Sequence, residues 1–190
     1  MELIPQMTFA IASKNNFRYV KHSVKYIREN CYRKDHIIHI GIDGEDIELE
    51  TYYKDDNSIV VTKGVSGIAA IYNDIAKKAT TDFILIYHAD MIAGKDMDLY
   101  LYKQWKQGTI VSATRVEPPL HPAGEEKIIR DFGTDFDNLN LDAFEAYVLE
   151  AQHEYKDLTT DGMFAPWIIY KEDFVAMGGH DALFAPFPYE

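Results

Sequence analysis

Short apolar runs, each closed by polar or turn-forming residues, recur along the chain and alternate with stretches of helical period. Positions 7–12 run apolar and stop at Ser13-Lys14-Asn15-Asn16, a cluster able to turn the chain and cap a helix. Phe17, Val20, Val24 and Ile27 then recur at helical spacing to about Asn30, with Lys and Arg on the opposite face. A second run at 36–42 ends in Asp43-Gly44-Glu45-Asp46, which has turn chemistry. His39 lies inside that run and reads as a satisfied core histidine. After a polar, acidic segment at 45–57, positions 58–62 make a third strand. Ile68, Ile71, Ile75 and Ala79 follow on one face of a helix, with Ser66 as its expected N-cap. Positions 83–87 are solidly apolar, long enough for a strand buried on both faces and too short for a helix. That run ends abruptly in His88-Ala89-Asp90.

Beyond it the pattern predicts a short helix at 96–105, capped by Asp96, and one further strand at 108–116. From 118 to 161 the periodicity loosens. Between Glu125 and Asp161 eleven acidic side chains face three basic ones, and Leu141, Phe144 and Val148 mark one amphipathic helix beneath a solvated face. Positions 162–170 are apolar and aromatic, 171–177 form a short helix, and Gly178-Gly179-His180-Asp181 follows. Strands alternating with helices predict an α/β fold with a mostly parallel central sheet flanked by helices. In open sheets of this kind ligands collect beyond the carboxyl ends of the strands. His88 and Asp90 sit there, where a carboxylate and an imidazole can hold a divalent cation, and such a cation can neutralise a diphosphate.

Composition narrows the function classes. At 190 residues the chain suits one domain, 1–190, with a proper core. A formal net charge of −12 argues against a nucleic-acid surface and against anionic lipid, and leaves a small anionic ligand bound through a metal as an option. Cys31 is the only cysteine, so a reducing compartment is expected and the residue reads as a small buried one. No apolar run approaches a membrane span and the N-terminus carries no signal-peptide pattern, so the expected location is the cytoplasm.

The run Asp82-Phe83-Ile84-Leu85-Ile86-Tyr87-His88-Ala89-Asp90 resembles the Asp-X-Asp strand of the family 2 glycosyltransferases, with His88 in place of the first aspartate of the triplet. Further matches follow in the family's order. Thr8 to Asn16 resembles its opening strand and turn, with Ala12 where proline is common, Lys14 where tyrosine is, and Asn15 kept. Asp43-Gly44 resembles its aspartate-glycine pair, with Ile42 where a first aspartate is usual. Gly67 to Asn73 resembles G-x-A-A-A-R-N, with Tyr72 for the arginine and Asn73 kept. The glycine pair and closing aromatic loop reappear at 178–190.

The resemblance implies a GT-A fold, with a nucleotide-sugar-binding half at 1–116 and an acceptor-side half at 117–190. It implies a metal-dependent inverting transfer from a nucleoside-diphosphate sugar, a UDP-sugar by Asp43, to a glycan or other hydroxyl acceptor, as in polysaccharide biosynthesis. Ala12, Ser13, Asn15, Asp43, Asn73, His88 and Ala89 inherit donor contacts, and Lys63 is the candidate for the missing positive charge. Asp90 inherits the Mn²⁺ or Mg²⁺, with His88 and His180 as further candidate ligands; His88 equally suits a ribose hydrogen bond. Trp167 and Phe187 are candidates to stack on a sugar. Asp181 and Glu190 are the candidate catalytic or acceptor-orienting carboxylates, since the family's closing Glu-Asp pair stops here at the glutamate, as in a chain incomplete at its C-terminus. Two rivals stay open. A sugar-phosphate nucleotidyltransferase would carry a Gly-rich basic loop, which residues 12–16 lack. A non-catalytic nucleotide- or glycan-binding relative fits the substitutions at Ile42, Tyr72 and His88.

Overall fold

In the computed structural model, which describes residues 3–120, 122, 124, 127–155, 158–160 and 163–181, the apolar runs lie side by side in one sheet. Strands β1 (Met7–Ser13), β2 (Ile37–Ile42), β3 (Ile59–Thr62) and β4 (Phe83–His88) are parallel. β5 (Val111–Ser112) follows. A separate parallel pair is made by β6 (Arg115–Glu117) and β7 (Lys127–Ile129). β8 (Trp167–Tyr170) runs antiparallel to both β4 and β5, giving the order β3-β2-β1-β4-β8-β5.

Helices cover both faces, and the side-chain alternation of β4 shows why its sequence is continuously apolar. Phe83, Leu85 and Tyr87 join a core with α1 (Phe17–Asn30), α2 (Ile47–Tyr53) and α4 (Met97–Gln104). Ile84 and Ile86 join a second core with α3 (Ile68–Lys78) and α6 (Lys171–Ala176). Connections run from β1 outward to β3, then α3 carries the chain back across the sheet to β4. The strand order therefore reverses between β1 and β4, and the crevice beyond their carboxyl ends is where such sheets bind ligands. Gly41 lets α3 come close there, because a Cβ at that position would lie 2.2 Å from Ile71 Cγ2. No helix among the described residues is long and apolar enough to cross a membrane.

Several local expectations are corrected. The acidic segment at 45–57 contains α2, capped by Asp46, whose side chain accepts from Leu49 N at 3.1 Å. Ser66 does not cap α3; Gly67, at φ 91°, holds that place, and Ile68 faces solvent while Tyr72 and Ala76 are buried. Asp96 precedes α4 in the left-handed region at φ 55° and makes no side-chain cap. The single strand expected at 108–116 is two, because the chain leaves the main sheet after Ser112 and re-pairs at Arg115. The loosened segment holds β7 and α5 (Leu141–Glu154), and α5 buries Tyr147 beside Phe132 and sets Val148 against Gly94.

Two buried histidines tie the frame together. His36 Nδ1 accepts from Met7 N at 3.0 Å and its Nε2 donates to Asp98 at 2.9 Å. His39 is 2% exposed and meets Thr62 Oγ1 at 3.1 Å, which agrees with its reading as a core residue. Burial lowers the His39 pKa to about 4. The unfolded chain therefore binds a proton below about pH 6.5 that the native state refuses until about pH 4, so stability falls with pH across that window. Between pH 6.5 and 4.5 wild type should lose about 2–3 kcal/mol more than His39→Asn, measured by urea unfolding. Parallel pH profiles for the two proteins would reject this.

Candidate functional site

The carboxyl ends of β1, β2 and β4 bring the main candidates to one edge. Register pairs Ala12 with Gly41 on one side and with His88 on the other, so the end of β1 lies between Asp43 and the His88 turn. Asp43 N donates to Ser13 O at 2.8 Å, locking the two strand ends. Among the described residues the buried Ser13 hydroxyl has no hydrogen-bond partner, which leaves an acceptor and donor at the end of β1. Asn15 takes a left-handed turn at φ 51° into α1, a conformation asparagine tolerates better than most residues.

The Asp43 carboxylate is fixed from two sides. Ser66 Oγ donates to Oδ1 at 2.8 Å and Lys14 Nζ to Oδ2 at 3.2 Å. The Ser66 bond and then Lys14 outweigh partial burial and hold the carboxyl below its usual range, so it presents acceptor oxygens at neutral pH. An imide N–H or a ribose hydroxyl suits such a group.

At the end of β4, His88 and Asp90 are exposed and Ala89 is buried between them. The turn is held from beneath by Ser23 of α1, whose Oγ lies 2.6 Å from Ala89 O and 2.7 Å from Met91 O. The surrounding walls lower the His88 pKa against the pull of Asp90, and Arg115 lowers it further. The imidazole is therefore neutral at pH 7, with a lone pair for a cation or a hydrogen bond.

The remaining described candidates are engaged by the frame, buried in it or exposed beside it. Lys63 is directed at Glu50 of α2, 2.8 Å away. Asn73 spends its amide on the backbone of His180, accepting from its N–H at 2.8 Å and donating to its carbonyl at 2.8 Å. That clamp fastens the glycine turn to α3, and Gly179 is needed because a Cβ there would meet Asn73 Oδ1 at 2.2 Å. The His180 ring sits among Tyr72, Trp167 and Phe174 with its Nε2 buried, and burial lowers its pKa. Trp167 is a core residue, 5% exposed. Asp181 is exposed beside that turn. Phe187 and Glu190 lie outside the described residues.

No protein-family model and no curated protein sequence matches the chain. Solved structures do. The mannosyltransferase PcManGT from Pyrobaculum calidifontis, in complex with GDP-Man and Mn²⁺, matches 93% of this chain at TM-score 0.60 and 14% identity. TarS of S. aureus matches 63% at TM-score 0.52 and 12% identity, and TarS 1-349 in complex with UDP-GlcNAc matches 63% at TM-score 0.51 and 10% identity. The fold is a glycosyltransferase fold. The chain spans about half of the mannosyltransferase (48%) and 23% of TarS.

Within that fold the strand-end residues have the chemistry a divalent cation accepts. Among the described residues no three His, Cys, Asp or Glu side chains converge into a ligand cage. Asp90 and His88 nevertheless offer an oxygen and an imidazole nitrogen at one exposed turn, and Mg²⁺ or Mn²⁺ is commonly held by one or two side chains plus substrate phosphates and water. The residues fit such an ion. When bound it would offset the charge of a phosphate-bearing ligand.

Sequence reasoning missed Lys14 and Ser66 on Asp43, Ser23 under the turn, and Arg115 beside His88. Lys14 was visible only as a replaced tyrosine. Ser23 carries a faint signal, a small polar residue in the buried stripe of α1 between Val20 and Val24.

Proposed function

We propose that this chain is the donor-binding and catalytic part of a metal-dependent, inverting glycosyltransferase of the family 2 type. It would take a sugar from a nucleoside diphosphate, preferentially UDP, and pass it to a hydroxyl acceptor such as a glycan, as in polysaccharide biosynthesis. The observation that carries this reading is the convergence of the β1 end, Asp43 and His88-Ala89-Asp90 at the reversal point of the sheet. Each supplies one need of the reaction. Ala12, Ser13 and Asp43 would hold the nucleoside, Asp90 with Mn²⁺ or Mg²⁺ would hold the diphosphate, and His88 would add a ligand or a ribose contact. Support comes from the shared fold of proteins whose complexes contain GDP-Man with Mn²⁺ or UDP-GlcNAc. On this reading residues 1–116 bind the donor and 117–190 face the acceptor, with Asp181 and Glu190 as candidates to orient or deprotonate it.

The test is calorimetry with UDP, GDP and ADP, with and without Mn²⁺. A −12 chain has little besides a metal to offset two phosphates, so binding should require the cation and should favour UDP. Equal, metal-free binding of all three nucleotides would overturn the reading.

A further inference from the structure

We propose that Arg115 is a phosphate-binding residue of this site, gripping the diphosphate of the donor from the β6 side opposite the turn after β4. The inference rests on the donor-site reading above and adds a residue that no Asp-X-Asp pattern marks.

Register gives its place. Ser112 of β5 pairs with Trp167 of β8, and Trp167 pairs with Ile86 of β4. β5 and β4 point the same way, and Ala113 N continues the ladder by donating to Pro166 O at 2.9 Å. Past Ala113 the chain leaves this sheet and Arg115 opens β6, so the arginine follows directly from the carboxyl edge at which β4 delivers His88.

The guanidinium is also held in one orientation. Nη1 lies 2.8 Å from Glu117 Oε1 in an ion pair, the centre of the Phe164 ring lies 4.5 Å from the guanidinium carbon, and the side chain is 18% exposed. Glu117 is in turn anchored by Lys127 at 3.1 Å, so the small β6–β7 sheet braces the whole arrangement. A planar, pre-oriented fork of donors matches phosphoryl oxygens better than a flexible ammonium does.

The experiment compares wild type, Arg115→Gln and Arg115→Lys at fixed Mn²⁺, by calorimetry with whichever of UDP and GDP wild type binds more tightly and with the matching nucleoside. Inorganic pyrophosphate serves as competitor. Arg115→Gln should weaken the nucleoside diphosphate by about tenfold or more, the scale of one charge-assisted hydrogen bond. It should weaken pyrophosphate equally, leave the nucleoside unchanged, and be partly rescued by lysine. Unchanged diphosphate affinity, or an equal loss for the nucleoside, would overturn the role of Arg115 and leave the proposed function standing. A wild-type chain that binds neither nucleotide overturns both.

Discussion

Asp98→Ala should destabilise the protein by about 3–5 kcal/mol, the cost of stripping one partner from a buried charged network. Asp98 is 0% exposed and serves three donors with two oxygens. Oδ1 accepts from Tyr32 N at 2.7 Å, and Oδ2 accepts from Arg33 N at 3.0 Å and from His36 Nε2 at 2.9 Å. Burial alone would raise its pKa, but the His36 bond and the two backbone bonds outweigh it and hold the carboxyl below its usual range. The stabilisation is thus present above the unfolded-state pKa near 4 and is lost as pH falls through the lower native value. Removing the carboxylate orphans two backbone N–H groups at the end of α1 and the His36 ring, and unties α4 from β1 and β2. Asparagine should rescue little, since its amide would point two hydrogens at donors already there. Chemical denaturation at pH 7 decides it: a loss under about 1 kcal/mol for either variant would mean that water replaces the carboxylate at little cost.

This network shows why parts of the fold were legible in the sequence and others were not. β1, β2 and β4 are buried on both faces, so their runs stand out without any long-range knowledge. α2 buries only Leu49 and Tyr53, four residues apart in a seven-residue helix, while Ile47 and Tyr52 face solvent, and so small a stripe is lost among acidic neighbours. The direction of β8 is equally hidden, since an apolar strand reads alike both ways along a sheet. At the site, Asp43, His88 and Asp90 announce themselves by ending strands. Their supports come from afar: Ser66 reaches Asp43 across 23 positions and Ser23 reaches Ala89 across 66. Such contacts exist only once α1 and α3 have packed on opposite faces, and no local pattern encodes them.

Asp90→Ala should abolish the metal-dependent part of nucleotide binding, while His88→Ala should only weaken it. The carboxylate offers a full negative charge to a divalent cation. At a contact distance near 4 Å and an effective dielectric near 20, each unit of charge product is worth on the order of 4 kcal/mol, or about 10³-fold in affinity. His88 is neutral at pH 7, because the surrounding walls and Arg115 lower its pKa against Asp90, so its loss removes one lone pair and no charge. Ser23→Ala grades the series further. It frees the Ala89 and Met91 carbonyls and loosens the turn without touching a ligand, so a loss of about 10–100-fold, typical of groups behind a metal ligand, is expected. Titrating Mn²⁺ into each variant at saturating UDP gives the order Asp90, then His88 and Ser23. If His88→Ala proves more damaging while Asp90→Ala keeps wild-type Mn²⁺ affinity, the ion is held by the imidazole and the assignment of Asp90 falls.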